Sequence, residues 1–209
     1  MPVMDPTKGK AGTAADLEDA ALVARARREP ERPALQALYQ RYEREVYRLL
    51  LRLTGDRDLA EDALQETFVL VQRGLHRYDP DRPFRPWLLA VARNAGLNAL
   101  RARRKEGPPL PAEEELPAGP GGVQDEASRR EARGRARAAL GRLPDESRAL
   151  LVQRHALGQT LDELAESWSC SERTIRNRLQ RAGEELARAL LEARRGPAGA
   201  TEQQKAGGA

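Results

Sequence analysis

The chain has 209 residues, 40% of them hydrophobic, 33% charged and only 4% aromatic, which is material for one large or two small globular units. Its net charge of +4 and pI near 9.6 favour a polyanionic partner only mildly, so charge placement matters more than the total. A lone cysteine, Cys170, excludes an internal disulfide, His76 and His155 lie too far apart in sequence for a zinc site, and no apolar run approaches the roughly 18 residues of a membrane span.

The N-terminal stretch, residues 1–15, is small, polar and rich in helix breakers, and lacks a signal peptide's apolar core; it is expected to be disordered. Asp16 opens a short helix to Arg28. From Pro33 to Thr54 the apolar positions Leu35, Leu38, Tyr39, Tyr42, Val46, Leu49 and Leu53 step by threes and fours, the mark of an amphipathic helix closed by Gly55. Asp58, three residues before Glu61, predicts a capping pair for a helix to about Arg73. That helix turns Leu59, Ala63 and Phe68 to one side and Glu61, Asp62, Gln65 and Glu66 to another.

The run H-R-Y-D-P-D-R-P-F-R-P-W is too proline-rich for a helix and carries Tyr78, Phe84 and Trp87. Four of the eight aromatic residues fall between Phe68 and Trp87, so this loop is read as an aromatic display. Helical spacing resumes from Trp87 to Lys105 and ends in R-A-R-R-K. A basic helix behind an aromatic loop suits the holding of a nucleic-acid backbone and the stacking of bases.

Composition then shifts to G-P-P-L-P-A-E-E-E-L-P-A-G-P-G-G, a flexible Pro/Gly/Glu linker assigned to residues 106–124. Periodicity returns near Asp125, and a helix begins at Pro144 or Asp145 and stops at Gly158. Thr160 and Glu163 form a capping box for a helix over 161–168. The turn Ser169, Cys170, Ser171 separates it from a helix beginning at Glu172, which is helix-turn-helix spacing. On that second helix Ile175, Leu179 and Ala182 form the inward stripe. Arg173, Thr174, Arg176, Asn177, Gln180 and Arg181 supply the residue types that read base edges and phosphates. The tail, 196–209, is expected to be disordered. The predicted fold is all-α, with two small helical domains, 16–105 and 125–195, the second containing the helix-turn-helix. No catalytic constellation, metal site or cofactor motif is visible, and the chain is read as a cytoplasmic non-enzyme without membrane insertion.

The order of L-A-E-D-A-L-Q-E-T-F, the loop, P-F-R-P-W-L-L-A-V-A-R-N, the linker, L-P-D-E-S-R-A-L-L, T-L-D-E-L-A and T-I-R-N-R-L-Q-R-A resembles the extracytoplasmic-function (ECF) group of bacterial RNA polymerase sigma factors. The resemblance covers about Ala34 to Lys105 and Leu140 to Leu190. It implies a first domain that binds core RNA polymerase and melts the minus-ten promoter element, and a second that reads the minus-thirty-five element as duplex DNA. Residue by residue, it places polymerase contacts at Asp62, Gln65 and Glu66. It places capture of an unstacked base in the loop from Tyr78 through Asp81 to Phe84 with Trp87, and minus-ten strand contacts at Asn94, Asn98, Arg101 and Arg103. The duplex-reading set is Arg173, Thr174, Arg176, Asn177, Gln180 and Arg181. The resemblance also implies an acidic linker threading the polymerase channel and an anti-sigma protein as a further partner. Arg173, where the family often has glycine, and Trp168, where it usually has an aliphatic residue, are departures that bear on promoter preference. The alternative reading is a free-standing helix-turn-helix regulator that binds an operator and uses its first domain to dimerise.

Overall fold

The structure, a computed structural model, describes residues 14–28, 33–106, 132 and 134–195. Helix α1 is Ala14–Arg28, α2 Pro33–Thr54 and α3 Arg57–Gly74, which runs into a tight 3-10 turn, Leu75–Arg77. Helix α4 is Phe84–Glu106, α5 spans 134–141, and α6 is Asp145–Leu151, continued by a wider π-helical turn, Val152–Ala156. Helices α7, Leu161–Ser167, and α8, Glu172–Arg195, complete the chain. Among the described residues there is no strand, in keeping with the all-α expectation. Ala14 and Ala15, expected in the N-terminal tail, belong to α1, and Glu106, expected in the linker, closes α4; the rest of the tails and linker and the expected helix start near Asp125 lie outside the described residues.

Helix α2 is the spine of the first module because its apolar stripe is continuous: Ala34, Leu38, Tyr42, Val46, Leu49, Leu50 and Leu53 are all buried. It ends where Gly55, at φ 73°, adopts the left-handed conformation and donates its N–H to Leu51 O at 2.9 Å. Helix α3 starts from Asp56, not from the predicted Asp58–Glu61 pair. The Asp56 side chain accepts the Leu59 N–H at 2.9 Å, which leaves Asp58 in the first turn, where a carboxylate suits the helix dipole. Helix α4 starts at Phe84, earlier than the expected Trp87. Pro86 falls in its first turn, where a missing N–H breaks no intrahelical bond.

The α2, α3 and α4 helices pack around Leu38, Val46, Leu49, Ala60, Val71, Leu88 and Ala92. Gly96 lets α4 press against α2, since a Cβ there would lie 2.8 Å from Leu50 Cδ2 and 2.9 Å from Leu53 Cδ2. Helix α1 is tied on by buried Asp19, which accepts from Arg41 Nη1 at 2.6 Å and from the Tyr42 hydroxyl. Arg27 donates to Leu75 O at 2.8 Å and also to Tyr78 O.

The second module buries Ala139, Leu143, Leu151, Ala182 and Ala189 in one cluster and Leu150, Leu164 and Ile175 in another. The two modules meet. Leu53, Leu97 and Leu100 of the first share a buried cluster with Ala149 of the second, and Trp168 packs against it. Arg148, itself buried, donates from Nη1 to Leu53 O at 2.8 Å, where its charge also faces the negative end of the α2 dipole.

Candidate functional site

The acidic face of α3 is set by helical geometry. Ala60, Ala63, Leu64, Thr67 and Val71 take the buried side, so Glu61, Asp62, Gln65 and Glu66 stand in solvent with Val69, 38% exposed, beside them. Phe68 lies half-buried with its ring centroid 4.5 Å from that of Tyr39, which anchors the helix without covering the carboxylates.

The loop before α4 departs from the expected aromatic display. Tyr78 is 4% and Phe84 1% exposed, and both rings point into the module. The Phe84 centroid lies 5.8 Å from that of Tyr42, 5.6 Å from Tyr78 edge-on and 5.6 Å from half-buried Trp87. In this arrangement neither Tyr78 nor Phe84 offers a face to a base, because the small module uses them to fill its own core. Burial pushes the Tyr78 phenol up to about 12, and its hydroxyl donates to Arg82 O. The solvent side of the loop is polar instead. Asp79, Asp81 and Arg82 are exposed, with the Asp81 N–H donating to Asp79 Oδ1 at 3.1 Å.

On α4, Asn94, Asn98 and Arg101 are exposed on successive turns of one face, with Arg101 Nη1 donating to Asn98 Oδ1 at 3.1 Å. Arg103, expected beside them, turns back instead: it is half-buried and ion-paired with Asp56, the cap of α3. The face borders a cleft of about 410 Å³ between the modules. Its far wall is Glu146, Trp168 and Arg178, and Arg93 lies at its base.

Arg93 was not anticipated. Its guanidinium is buried, donates from Nη1 to Ser167 O at 3.0 Å and lies 4.2 Å from the Trp168 ring centroid. Burial pulls its pKa down to about 10. Trp168 is fixed by its Nε1–H donating to Gln153 Oε1 at 2.8 Å, with Arg178 5.7 Å from its ring. Arg85, also unanticipated, donates to Glu45 in its own module at 2.6 Å, and to Glu163 and Leu157 O in the other at 3.0 Å each. A signal for Arg93 did exist, since it interrupts the apolar spacing Leu89, Leu97, Leu100 on the inward side of α4.

The helix-turn-helix forms as its caps dictate. Glu163 N donates to Thr160 Oγ1 at 3.2 Å while Thr160 N donates to Glu163 Oε2 at 2.7 Å. Ser169 takes φ 49° in the turn, and Ser171 Oγ accepts the Thr174 N–H at 3.1 Å to start α8. Ile175 and Ala182 are buried, so Arg173, Arg176, Asn177, Gln180 and Arg181 are exposed together, with Thr174 half-covered at the start. Arg176 donates to Glu172 at 2.7 Å and Gln180 to Glu184 at 3.1 Å. Such exposed pairs four residues apart are worth only about 0.3–0.5 kcal/mol, so nucleic acid can displace them.

Residues 38–106 match the family described as Sigma-70 region 2, and residues 133–186 match Sigma-70, region 4. The chain is 32% identical over 160 residues to the ECF RNA polymerase sigma factor SigM of Mycobacterium tuberculosis, covering 77% of this chain and 79% of that protein. It is 30% identical over 182 residues to the RNA polymerase sigma-H factor of Pseudomonas aeruginosa, covering 83% and 94%. The match to SigM of Bacillus subtilis, 46% identical over 72 residues, spans only 44% of that protein. Among solved structures it resembles CnrH in complex with the cytosolic domain of CnrY, at TM-score 0.59 and 26% identity over 84% of this chain and 98% of that one. RpoE of Bartonella quintana, solved with NepR, shares the fold at TM-score 0.59 and 21% identity over 74% of this chain and 95% of that one. A free-standing operator-binding regulator is therefore not favoured, because both sigma regions are present in order. The chain belongs to the ECF family of RNA polymerase sigma factors.

Proposed function

We propose that this sigma factor divides its work among three faces on three helices. The acidic face of α3, through Asp62, Gln65 and Glu66, docks on a basic surface of core polymerase. The outer face of α4, through Asn94, Asn98 and Arg101, lies along the minus-ten strand, with the polar loop tip at Asp81 alongside. Arg176, Asn177, Gln180 and Arg181 of α8 read the minus-thirty-five duplex in the major groove, while Arg173 and Thr174 near the turn hold its backbone. The protein acts by binding and positioning, not by catalysis, and works in the cytoplasm; among the described residues no helix is long and apolar enough to cross a membrane.

The observation that carries this reading is that the three faces are exposed while the apolar stripes of the same helices are buried. A partner that masks them is part of the proposal. CnrH was solved with the cytosolic domain of CnrY, which supports an anti-sigma protein for this chain too. The direct test is run-off transcription with purified core polymerase, with and without the protein. Reversing both charges in Asp62→Lys/Glu66→Lys is expected to abolish co-purification with core polymerase while circular dichroism keeps its helical signal. Undiminished co-purification would remove α3 from the polymerase interface.

A further inference from the structure

The loop whose tip is assigned to the minus-ten strand is held from outside its own segment. Arg27, on α1, donates from Nε to Leu75 O at 2.8 Å and from Nη2 to Tyr78 O, with its guanidinium carbon 6.0 Å from the Tyr78 ring centroid. We infer that Arg27 is a positioning residue for this loop: its grip on two carbonyls fixes the direction in which the chain leaves Tyr78, and so where Asp79, Asp81 and Arg82 meet the promoter strand. The inference rests on the reading of the loop tip given above.

The grip answers a need of the helix end. Helix α3 and the 3-10 turn behind it finish in carbonyls that lack partners further along the helix, and Leu75 O takes the Tyr78 N–H only at 3.3 Å. A guanidinium suits this end, because its planar fork presents parallel N–H groups and its charge faces the negative end of the helix dipole. The two carbonyls it takes stand at opposite ends of the turn.

Tyr78 is where the chain changes course, passing from the turn into extended backbone at φ −67° and ψ 133°. Beyond it the loop ties itself together. The Arg82 N–H donates to Asp79 O at 3.2 Å, the Asp81 N–H to Asp79 Oδ1 at 3.1 Å, and the Tyr78 hydroxyl to Arg82 O. A tip so tied moves as one body, and its attachment at Tyr78 decides where it stands.

Arg27 has a fixed base from which to reach. Asp19, Val23 and Arg27 are spaced by four along one side of α1. Val23 is 1% exposed, and Asp19 accepts from Arg41 and Tyr42 of α2, so α1 stays docked without Arg27. Removing the guanidinium therefore frees the loop while the Tyr78 and Phe84 rings keep their places in the core. Helix α1 also lies ahead of residues 38–106, so the group that aims the loop comes from outside the span matched to Sigma-70 region 2.

The test uses holoenzyme assembled from the full chain and purified core polymerase. Binding to promoter DNA with a randomised minus-ten element is compared for the unaltered protein, Arg27→Ala, Arg27→Lys and Asp81→Ala. Arg27→Ala is expected to lower the preference at one minus-ten position at least about fivefold, the lower end for one recognised base pair. Preference in the upstream element, co-purification with core polymerase and melting temperature are expected to stay unchanged. Arg27→Lys keeps the charge but cannot span both carbonyls, so it is expected to behave as Arg27→Ala does, and it reads the same quantities should Arg27→Ala fail to fold. Full preference in the lysine variant would make Arg27 a simple electrostatic contact and overturn the positioning role. A uniform loss across the promoter with a lowered melting temperature would overturn it too, as the mark of a merely structural residue. Asp81→Ala separates the inference from the reading beneath it. Preference flattened by Asp81→Ala but not by Arg27→Ala overturns Arg27 alone, whereas preferences unaltered in both variants remove the loop tip from the promoter and the inference with it.

Discussion

Asp56 shows how much one side chain carries here. It caps α3 and pairs with Arg103, and its carboxyl is held below the usual carboxylate range, chiefly by the Leu59 N–H and then by Arg103. A carboxyl whose folded pKa is depressed contributes stability that is present above its unfolded pKa of about 4 and is lost as the pH falls through the lower, folded value. Asp56→Ala is therefore expected to cost about 1 kcal/mol at pH 7, with the deficit shrinking as the pH drops below ~4. Urea unfolding at both ends of that range checks it, and a deficit independent of pH would mean that the ionised carboxylate is not the source. On α8 the side chains divide by height above the turn. Arg176→Ala is expected to relax preference at one base position, worth about 1–3 kcal/mol of discrimination, whereas Arg173→Ala should weaken all sequences alike and lower the salt slope by about 0.9. Binding to a randomised upstream element across a salt series distinguishes them; uniform weakening by Arg176→Ala would reduce α8 to an electrostatic clamp.

At the scale of elements, the helices with strong local signals were legible and those with conflicting ones were not. The apolar stripe of α2 and the capping box of α7 appear with the bounds their residues imply, because each is settled within a few turns. The start of α4 is not legible locally, because Pro86 reads as a breaker until its first-turn position removes the penalty. The aromatic loop misleads for a different reason: in an aromatic-poor chain a ring cluster reads as display, whereas the small first module needs Tyr78 and Phe84 as core. Phe84→Ala is accordingly expected to cost about 3–5 kcal/mol in stability, measured by denaturant unfolding. A loss confined to DNA binding would restore the display reading. Gly96 sets the distance between α4 and α2. Gly96→Ala is expected to lower stability despite alanine's better helix propensity, because overpacking costs about 1–3 kcal/mol against a propensity gain of ~1. A raised melting temperature would show that Leu50 and Leu53 yield freely.

For the molecule as a whole, the two modules and their order were readable, but their mutual packing was not. Arg85, Arg93 and Arg148 sit on amphipathic helices, where an arginine is ordinarily solvated. Their partners lie 78, 74 and 95 residues away in sequence, beyond the reach of any local pattern. The acidic face of α3 and the reading face of α8 were legible because exposure on a helix follows from spacing alone. The separation between Leu53 and Arg148 also has a meaning in time. Chains leave the ribosome at about 5–20 residues per second and fold from the N-terminus, so the first module, complete at Glu106, stands roughly 2–8 seconds before Arg148 and Ala149 arrive to cover Leu53, Leu97 and Leu100. A fragment ending at residue 106 is expected to bind an apolar-surface dye and to aggregate with concentration where the full chain does not. During those seconds the greasy end of a half-made sigma factor is open to any chaperone, or to another nascent copy on the same message.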